Sequence, residues 1–324
     1  MKIYSQQGVK IETCNFTHEK NDFYLQKIGT KYTYFGDSIL GKLNDSLVIL
    51  YDTMRNLFFK DTFQYYKEQS VMPIFVTEAG QDSDCALSSK DFSKLLSDNQ
   101  INYLPNFYRH LYLADCQLLI GSIQNLLESM EYSFVNYFTN LCDIVTPCSA
   151  PDTVMIDMSP SGRNVISFVE NYFIKSYAIL DRFSKLAYEF ESPMTNFSKY
   201  NKMKSAKKLW GDRKNLSIND ECGTLFEQCD LTKIIEALRN DVIHNGSWEL
   251  NPKIFVVFKN GQIIERFALF PDIEQGHLAT VVNRKHFFNH SNKINDILPQ
   301  IHINFLTRTF NTVEYFNNKY ATIT

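Results

Sequence analysis

Four long segments carry apolar residues at helical spacing, and they constrain the fold more than any other feature of the sequence. They span approximately residues 36–68, 106–141, 164–191 and 294–318. Within each segment Leu, Ile, Phe or Val recurs three or four positions apart, as on one side of an α-helix. Helices of this length must bury their apolar sides against one another. The pattern therefore predicts a mainly α protein built as a helical bundle.

The period changes after residue 246, which predicts a small β element. Residues 254–258 and 263–270 are rich in Ile, Phe and Val, and the dipeptide Asn260-Gly261 lies between them. Asn-Gly favours the tight turn that joins two antiparallel strands. We expect a β-hairpin at about 253–270.

Two other segments lack helical periodicity. Residues 1–35 contain short Tyr-, Thr- and Ile-rich runs, from which we expect strands or a loose arm. Residues 74–100 are rich in turn-forming residues, and we interpret them as a loop between helices.

The clearest break in composition lies at residues 147–162, where three prolines occur among serines and a glycine. A chain of 324 residues is long enough for one large domain or two modest ones. We interpret the break as a domain boundary, with a long connection within one bundle as the alternative. The division is then 1–150, a mostly helical region of unknown role, and 151–324, a helical domain that contains the hairpin.

The overall charge excludes one class of function. With 21% charged residues and a net charge of −3, the chain is not a strongly basic nucleic-acid coat. The net charge does not exclude local basic patches. No apolar run is long enough to span a bilayer, and the first residues carry no signal core, so a cytoplasmic protein is expected. Seven cysteines without a Cys-x-x-Cys pair are expected to be reduced thiols, with no metal and no cofactor.

A helix from about residue 230 to Gly246 combines a core stripe with an unusual polar side. Its apolar residues, including Leu231, Ile235 and Leu238, gather on one side, and Gly246 stands where a left-handed residue ends a helix. On the other side, Glu236, Asn240 and His244 are spaced four residues apart and form a polar row. Arg239 flanks this row, and its side chain is long enough to reach the His244 imidazole.

This arrangement resembles the HEPN superfamily, whose signature is an Arg, usually a polar residue next, and a His four to six residues after the Arg. Arg239, Asn240 and His244 fit that signature, and the Asn245-Gly246 ending is also similar. The sequence Lys-Ser-Tyr-x-x-Leu-Asp at 175–181 is similar to the clostridial branch. In HEPN-like chains such a helix packs beside the motif helix. The alternative is a surface helix whose Arg and C-terminal His merely complement the helix dipole.

The resemblance implies a metal-independent endoribonuclease of bacterial defence or toxin type that acts as a homodimer. It implies that His244 transfers protons, that Arg239 stabilises charge on the phosphate, and that Asn240 orients either group or bonds the partner helix. The expected partners are RNA, a second copy of the chain, and an antitoxin or defence-system protein. The alternative is a non-catalytic helical module that recognises RNA or a protein.

A basic stretch at residues 199–214 precedes the motif helix. Five of its side chains are candidates for RNA binding through phosphates: Lys204, Lys207, Lys208, Arg213 and Lys214. The alternative is a solvated connection between helices.

A histidine-rich segment follows the hairpin. We expect His277, His286 and His290, with Arg284 and Lys285, to lie in a surface loop.

Overall fold

The computed structural model describes residues 3–11, 24–28, 31–34, 39–98, 101, 103–147 and 150–321. The protein is mainly helical with small antiparallel sheets, which confirms the predicted mainly α class. The helices are α1 (Ile39–Phe58), α2 (Thr62–Gln69), α3 (Phe75–Glu78), α4 (Ser89–Leu96), α5 (Phe107–Cys142), α6 (Pro160–Glu191), α7 (Asp230–Asn245) and α8 (Ile294–Tyr320). Short 3-10 helices occupy Ser83–Cys85 and Trp210–Asn215.

The strands are short. They are β1 (Ile3–Ser5), β2 (Lys10–Ile11), β3 (Tyr24–Ile28), β4 (Lys31–Tyr34), β5 (Thr153–Asp157), β6 (Ile254–Lys259), β7 (Gln262–Phe267), β8 (Leu269–Pro271), β9 (Ile273–Glu274), β10 (His277–Leu278) and β11 (Phe288–Lys293). Within the described residues, no helix combines the length and the apolar character needed to cross a bilayer.

The contacts of the chain divide it into two compact units. Unit 1 takes Met1–Leu40, Leu126–Ala178 and Gln228–Arg308, and unit 2 takes Gly41–Asn125, Ile179–Glu227 and Thr309–Thr324. The long helices α5, α6 and α8 contribute residues to both. The predicted division at residue 150 stays a prediction.

One sheet of unit 1 has the order β5-β6-β7 and is antiparallel throughout. Its β6–β7 hairpin confirms the predicted one, and Asn260 and Gly261 at its turn have φ of 51° and 74°. Two successive positive φ values are those of a hairpin turn that matches the strand twist. Within the stretch 147–162, residues Thr153–Asp157 form strand β5, whose Met155 pairs with Val256 of β6.

Helix α6 also begins earlier than predicted, at Pro160. A proline fits the first helical position because the N–H that it lacks would have no partner there. Helix α8 begins at Ile294, and Pro299 lies inside it.

The N-terminal strands form an antiparallel sheet of order β2-β1-β3-β4, in agreement with the strands expected there. Arg266 on β7 ties this part of the chain to the rest of unit 1. Its side chain is buried and donates to Ile144 O at 2.8 Å and Gly8 O at 2.9 Å. Gly8 has φ of +67°, and a Cβ there would lie 2.8 Å from Arg266 O, so only glycine fits the approach.

The core of unit 1 contains a fully buried histidine on α8. The His302 ring stacks on Phe134 at 4.0 Å between centroids, and its Nδ1 lies 3.3 Å from the Tyr172 hydroxyl. Burial lowers the pKa of His302 from 6.5 to about 3. This histidine is therefore a neutral core residue.

Unit 2 differs from the predictions at two points. The segment 36–68 is not one helix, because α1 ends at Phe58 and Asp61 starts α2 by accepting a hydrogen bond from Gln64 N at 3.0 Å. The predicted loop at 74–100 contains α4, whose first turn is capped by Ser88. A short polar side chain at the start of a helix stabilises that start by accepting a hydrogen bond from a first-turn N–H.

Candidate functional site

Helix α7 forms because its apolar residues lie on one buried side and a glycine follows its last residue. Leu231, Ile235 and Leu238 are buried in unit 1, as predicted. Gly246 has φ of +85° and donates its N–H to Val242 O at 3.0 Å, which ends the helix at the expected residue. This fixes the last two turns, which carry the motif residues.

Arg239 is half-buried and held in place by two contacts. Its Nη1 donates to Asn240 Oδ1 at 2.8 Å, and its guanidinium carbon lies 4.6 Å from the centre of the Tyr177 ring on α6. The guanidinium is therefore directed to Asn240 and Tyr177 rather than curled toward the imidazole of His244. The contact with Tyr177 also agrees with the expectation that α6 packs beside the motif helix.

His244 lies in the last turn of α7 and is exposed, whereas Asn240, one turn earlier, is half-buried. Along the helix the structure thus places a guanidinium, an amide and an imidazole in sequence, with the imidazole the most accessible to solvent. An accessible imidazole can exchange protons with a ligand, and a guanidinium can stabilise an anion.

Asp241 is a residue of the same helix that the sequence interpretation missed. Its carboxylate is buried, and it accepts hydrogen bonds from Lys285 Nζ, from His286 Nε2 at 2.6 Å and from Asn245 Nδ2 at 2.7 Å. Burial raises the pKa of Asp241, but the hydrogen bonds from Lys285 and His286 lower it more, so that the pKa lies below its ordinary value. A carboxylate that accepts from His Nε2 requires the proton on that nitrogen.

A signal for this cluster was present in the sequence. Asp241 stands three residues after Leu238 and seven after Ile234, so it occupies the apolar stripe rather than the polar side. An acid at such a position needs cationic or hydrogen-bonding partners, because a buried charge without them is costly. The sequence did not identify them, since they lie 44 and 45 residues further along.

The histidine-rich segment is therefore not a plain surface loop. His286 exposes only 16% of its side chain and is bonded to Asp241, and His290 lies on β11. His277, on β10, is exposed as expected. The neighbouring Gly276 comes so close to α7 that a Cβ there would lie 2.6 Å from Lys233 Cβ.

The basic stretch belongs to unit 2, and its side chains differ in their contacts and exposure. Arg213 lies over the Trp210 ring at 4.3 Å and donates to Trp210 O, and Lys208 lies over the Tyr188 ring at 4.4 Å. Lys204 Nζ donates to Ser192 O at 3.0 Å. Lys207 and Lys214 are exposed.

Neither metal-binding groups nor similarity to known proteins adds an assignment. Across the residues that the structure describes, no group of three or more His, Cys, Asp or Glu side chains is arranged to hold a metal ion. No protein-family model, curated protein or solved structure matches the chain.

Proposed function

We propose that the protein is a metal-independent endoribonuclease of HEPN type whose catalytic residues are Arg239, Asn240 and His244. One observation carries the proposal: the exposed His244 imidazole follows Asn240 by one turn, and Asn240 accepts a hydrogen bond from the Arg239 guanidinium, which lies on Tyr177. A surface helix that only complements its dipole does not require an arginine fixed by an amide and an aromatic ring.

The reaction needs one nucleophile from the substrate and two proton transfers. The ribose 2′-oxygen loses its proton to a base and bonds to the adjacent phosphorus, and the bond from phosphorus to the 5′-oxygen breaks as that oxygen gains a proton. The products are a 2′,3′-cyclic phosphate and a free 5′-hydroxyl. DNA lacks the nucleophile. His244 transfers the protons because an imidazole can both accept and donate one, and Arg239 stabilises the additional negative charge on the phosphate.

The proposal includes a homodimer with two-fold symmetry. A single imidazole cannot be base and acid in the same step, whereas one His244 from each protomer supplies both roles. In a two-fold dimer the same helix surface meets its copy, so both motifs can face one cleft. The HEPN-like bundle, action in the cytoplasm and control by an antitoxin or defence partner belong to this proposal.

RNA phosphates are held, in this proposal, by Lys204, Lys207, Lys208, Arg213 and Lys214. Exposed Lys207 and Lys214 are the members best placed to exchange counterions for phosphates. Arg213 and Lys208 already lie on aromatic rings and can offer only their remaining donors.

The test is cleavage of mixed RNAs by purified protein in EDTA, with chemical analysis of the ends. We expect cyclic-phosphate ends, no cutting of an RNA with 2′-deoxy at the scissile nucleotide, and no cleavage by His244→Ala or Arg239→Ala. The matched control is His277→Ala, another exposed histidine of unit 1, which should cleave normally.

Cleavage that requires a divalent metal, or equal cutting of DNA, would refute the mechanism. Cleavage that survives His244→Ala would refute the site. RNA binding without any cleavage would favour a non-catalytic binding module. Light scattering that finds active protein as a monomer would refute the dimer.

A further inference from the structure

A cleft of about 470 Å³ opens in unit 1 between the loop after α7, strands β6 and β8, and the segment that leads into β11. It is distinct from the motif residues, because His244, Arg239 and Asn240 are not among the described residues that line it. Its volume is in the range of clefts that hold small organic ligands.

Part of the cleft lining is apolar and aromatic. Phe255 stacks on Phe267 at 5.1 Å between centroids, and Leu269 and Phe288 pack against this pair. Phe255, Leu269 and Phe288 also line the cleft. A flat, apolar part of a ligand can stack on such a wall.

The cleft is also lined by four side chains that can donate hydrogen bonds: Lys253, Lys285, His286 and His290. Lys253 Nζ lies 3.3 Å from Glu249 Oε1, which also lines the cleft, and Lys285 and His286 share the single carboxylate of Asp241. His290 is exposed, with its ring edge-on to Phe255 at 5.6 Å. An anionic group would find donors from three separate points of the chain.

A buried donor next to the cleft adds a second observation. Trp248 lines it and is fully buried, and its indole N–H has no acceptor among the described residues. A buried N–H without an acceptor costs free energy. Because Trp248 lines the cleft, its fluorescence can report on a ligand bound there.

We propose that this cleft binds a nucleotide unit, with its base against Phe255 and Phe288 and its phosphate among Lys253, Lys285, His286 and His290. The shared chemistry is a flat ring joined to a phosphate. It can arrive as a free mononucleotide or as one nucleotide of an RNA strand. Binding of a free mononucleotide does not depend on the proposed nuclease activity.

The experiment uses Trp248 as the reporter. The chain has two tryptophans, and Trp210→Phe leaves Trp248 as the only one. The Trp210 indole N–H has no acceptor among the described residues either, so phenylalanine removes no described hydrogen bond. Adenosine 5′-monophosphate (AMP), adenosine and inorganic phosphate are titrated by fluorescence, and calorimetry on the unmodified protein checks the result.

We expect AMP to bind at least about tenfold more tightly than adenosine or phosphate alone. Lys253→Gln and His290→Gln should each weaken the affinity for AMP by about tenfold, the usual effect of one lost charge-assisted hydrogen bond. His277→Gln, outside the cleft, should bind AMP as the parent does. His244→Ala should also bind it, which separates this proposal from the nuclease site. No AMP binding, equal affinity for adenosine, or unchanged affinity in both cleft variants would overturn the proposal.

A tetra-adenylate with 2′-O-methyl groups, which the proposed nuclease cannot cleave, distinguishes the two sources. Tighter binding of this RNA than of AMP, lost in the same two variants, assigns the cleft to a nucleotide of an RNA strand. Tighter binding of AMP assigns it to a free nucleotide.

Discussion

The Arg239 guanidinium carbon lies 4.6 Å from the centre of the Tyr177 ring, so the motif arginine is positioned by α6 as well as by its own helix. The hydrogen bond to Asn240 fixes the guanidinium from a second direction. Tyr177 is therefore a positioning residue for the proposed reaction, and a contact of this kind is worth about 0.5–2 kcal/mol.

Substitutions of Tyr177 should distinguish the contribution of its ring to the cleavage rate from that of its hydroxyl. We expect Tyr177→Ala to lower the cleavage rate about tenfold, because the arginine loses its aromatic support, and Tyr177→Phe to stay within about twofold. The measurement is kcat at saturating RNA, with KM determined in parallel. Equal losses in both variants would assign the effect to the hydroxyl rather than to the ring.

The motif residues should differ in their contribution to stability. His244 is exposed, so His244→Ala should change the free energy of unfolding by no more than about 0.5 kcal/mol. Arg239→Ala should cost about 1 kcal/mol, because it removes the contact with Tyr177 and the hydrogen bond to Asn240. Urea unfolding checks both values. A large loss in His244→Ala would point to a structural role.

Asp241→Asn should destabilise the protein near neutral pH by about 1–3 kcal/mol, since Lys285 and His286 lose the charge that they share. The pKa of Asp241 in the folded state lies below its ordinary value. Its carboxylate therefore stabilises the fold above the unfolded-state pKa of about 3.9, and this contribution is lost as the pH falls toward the folded-state pKa. The difference between parent and variant should narrow in acid. Unfolding at pH 7 and below pH 4 measures it, and a constant difference would contradict the assignment.

His302→Gln should flatten the loss of stability in acid. The pKa of His302 in the folded state is about 3, below its ordinary 6.5. Between these values the unfolded chain binds a proton that the folded protein does not, so the parent loses about 1.4 kcal/mol per pH unit as the pH falls. The slope of unfolding free energy against pH is the measurement, with His277→Gln as the exposed control. Equal slopes in parent and His302→Gln would show that His302 is protonated in the fold.

The basic stretch should act through exposed lysines. Lys207→Gln and Lys214→Gln together should flatten the slope of log affinity for single-stranded RNA against log salt by about 1.4, or about 0.7 for each lost phosphate contact. The control is Lys90→Gln, another exposed lysine of unit 2. Cleavage at saturating RNA should change little. An unchanged slope would identify residues 199–214 as a solvated connection.

Sequence periodicity predicted the long helices and the hairpin well because local patterns determine them. Helix α5 begins and ends within one residue of the predicted bounds, and Gly246 ends α7 as expected. Local competition explains most of the errors. Asp61 and Ser88 cap new helices inside segments that had been assigned to one helix and to a loop.

Long-range pairing explains the rest. Strand β5 is short and alternates between half-buried and exposed residues, and only its pairing with β6, about 100 residues later, defines it. The surroundings of Asp241 depend in the same way on residues far along the chain. Of the candidate site, the sequence could predict Arg239, Asn240 and His244 on one helix, but not Tyr177, which a different helix supplies.

The distance in sequence between Asp241 and its two hydrogen-bond donors Lys285 and His286 also sets an order of assembly. A ribosome releases Asp241 well before Lys285 and His286, so for that interval the carboxylate lacks the groups that allow it to be buried. The last turns of α7 can acquire their final packing only after the strands that follow have been made. A growing chain that ends before residue 285 would therefore carry the motif without its completed support, and any activity would begin late in synthesis.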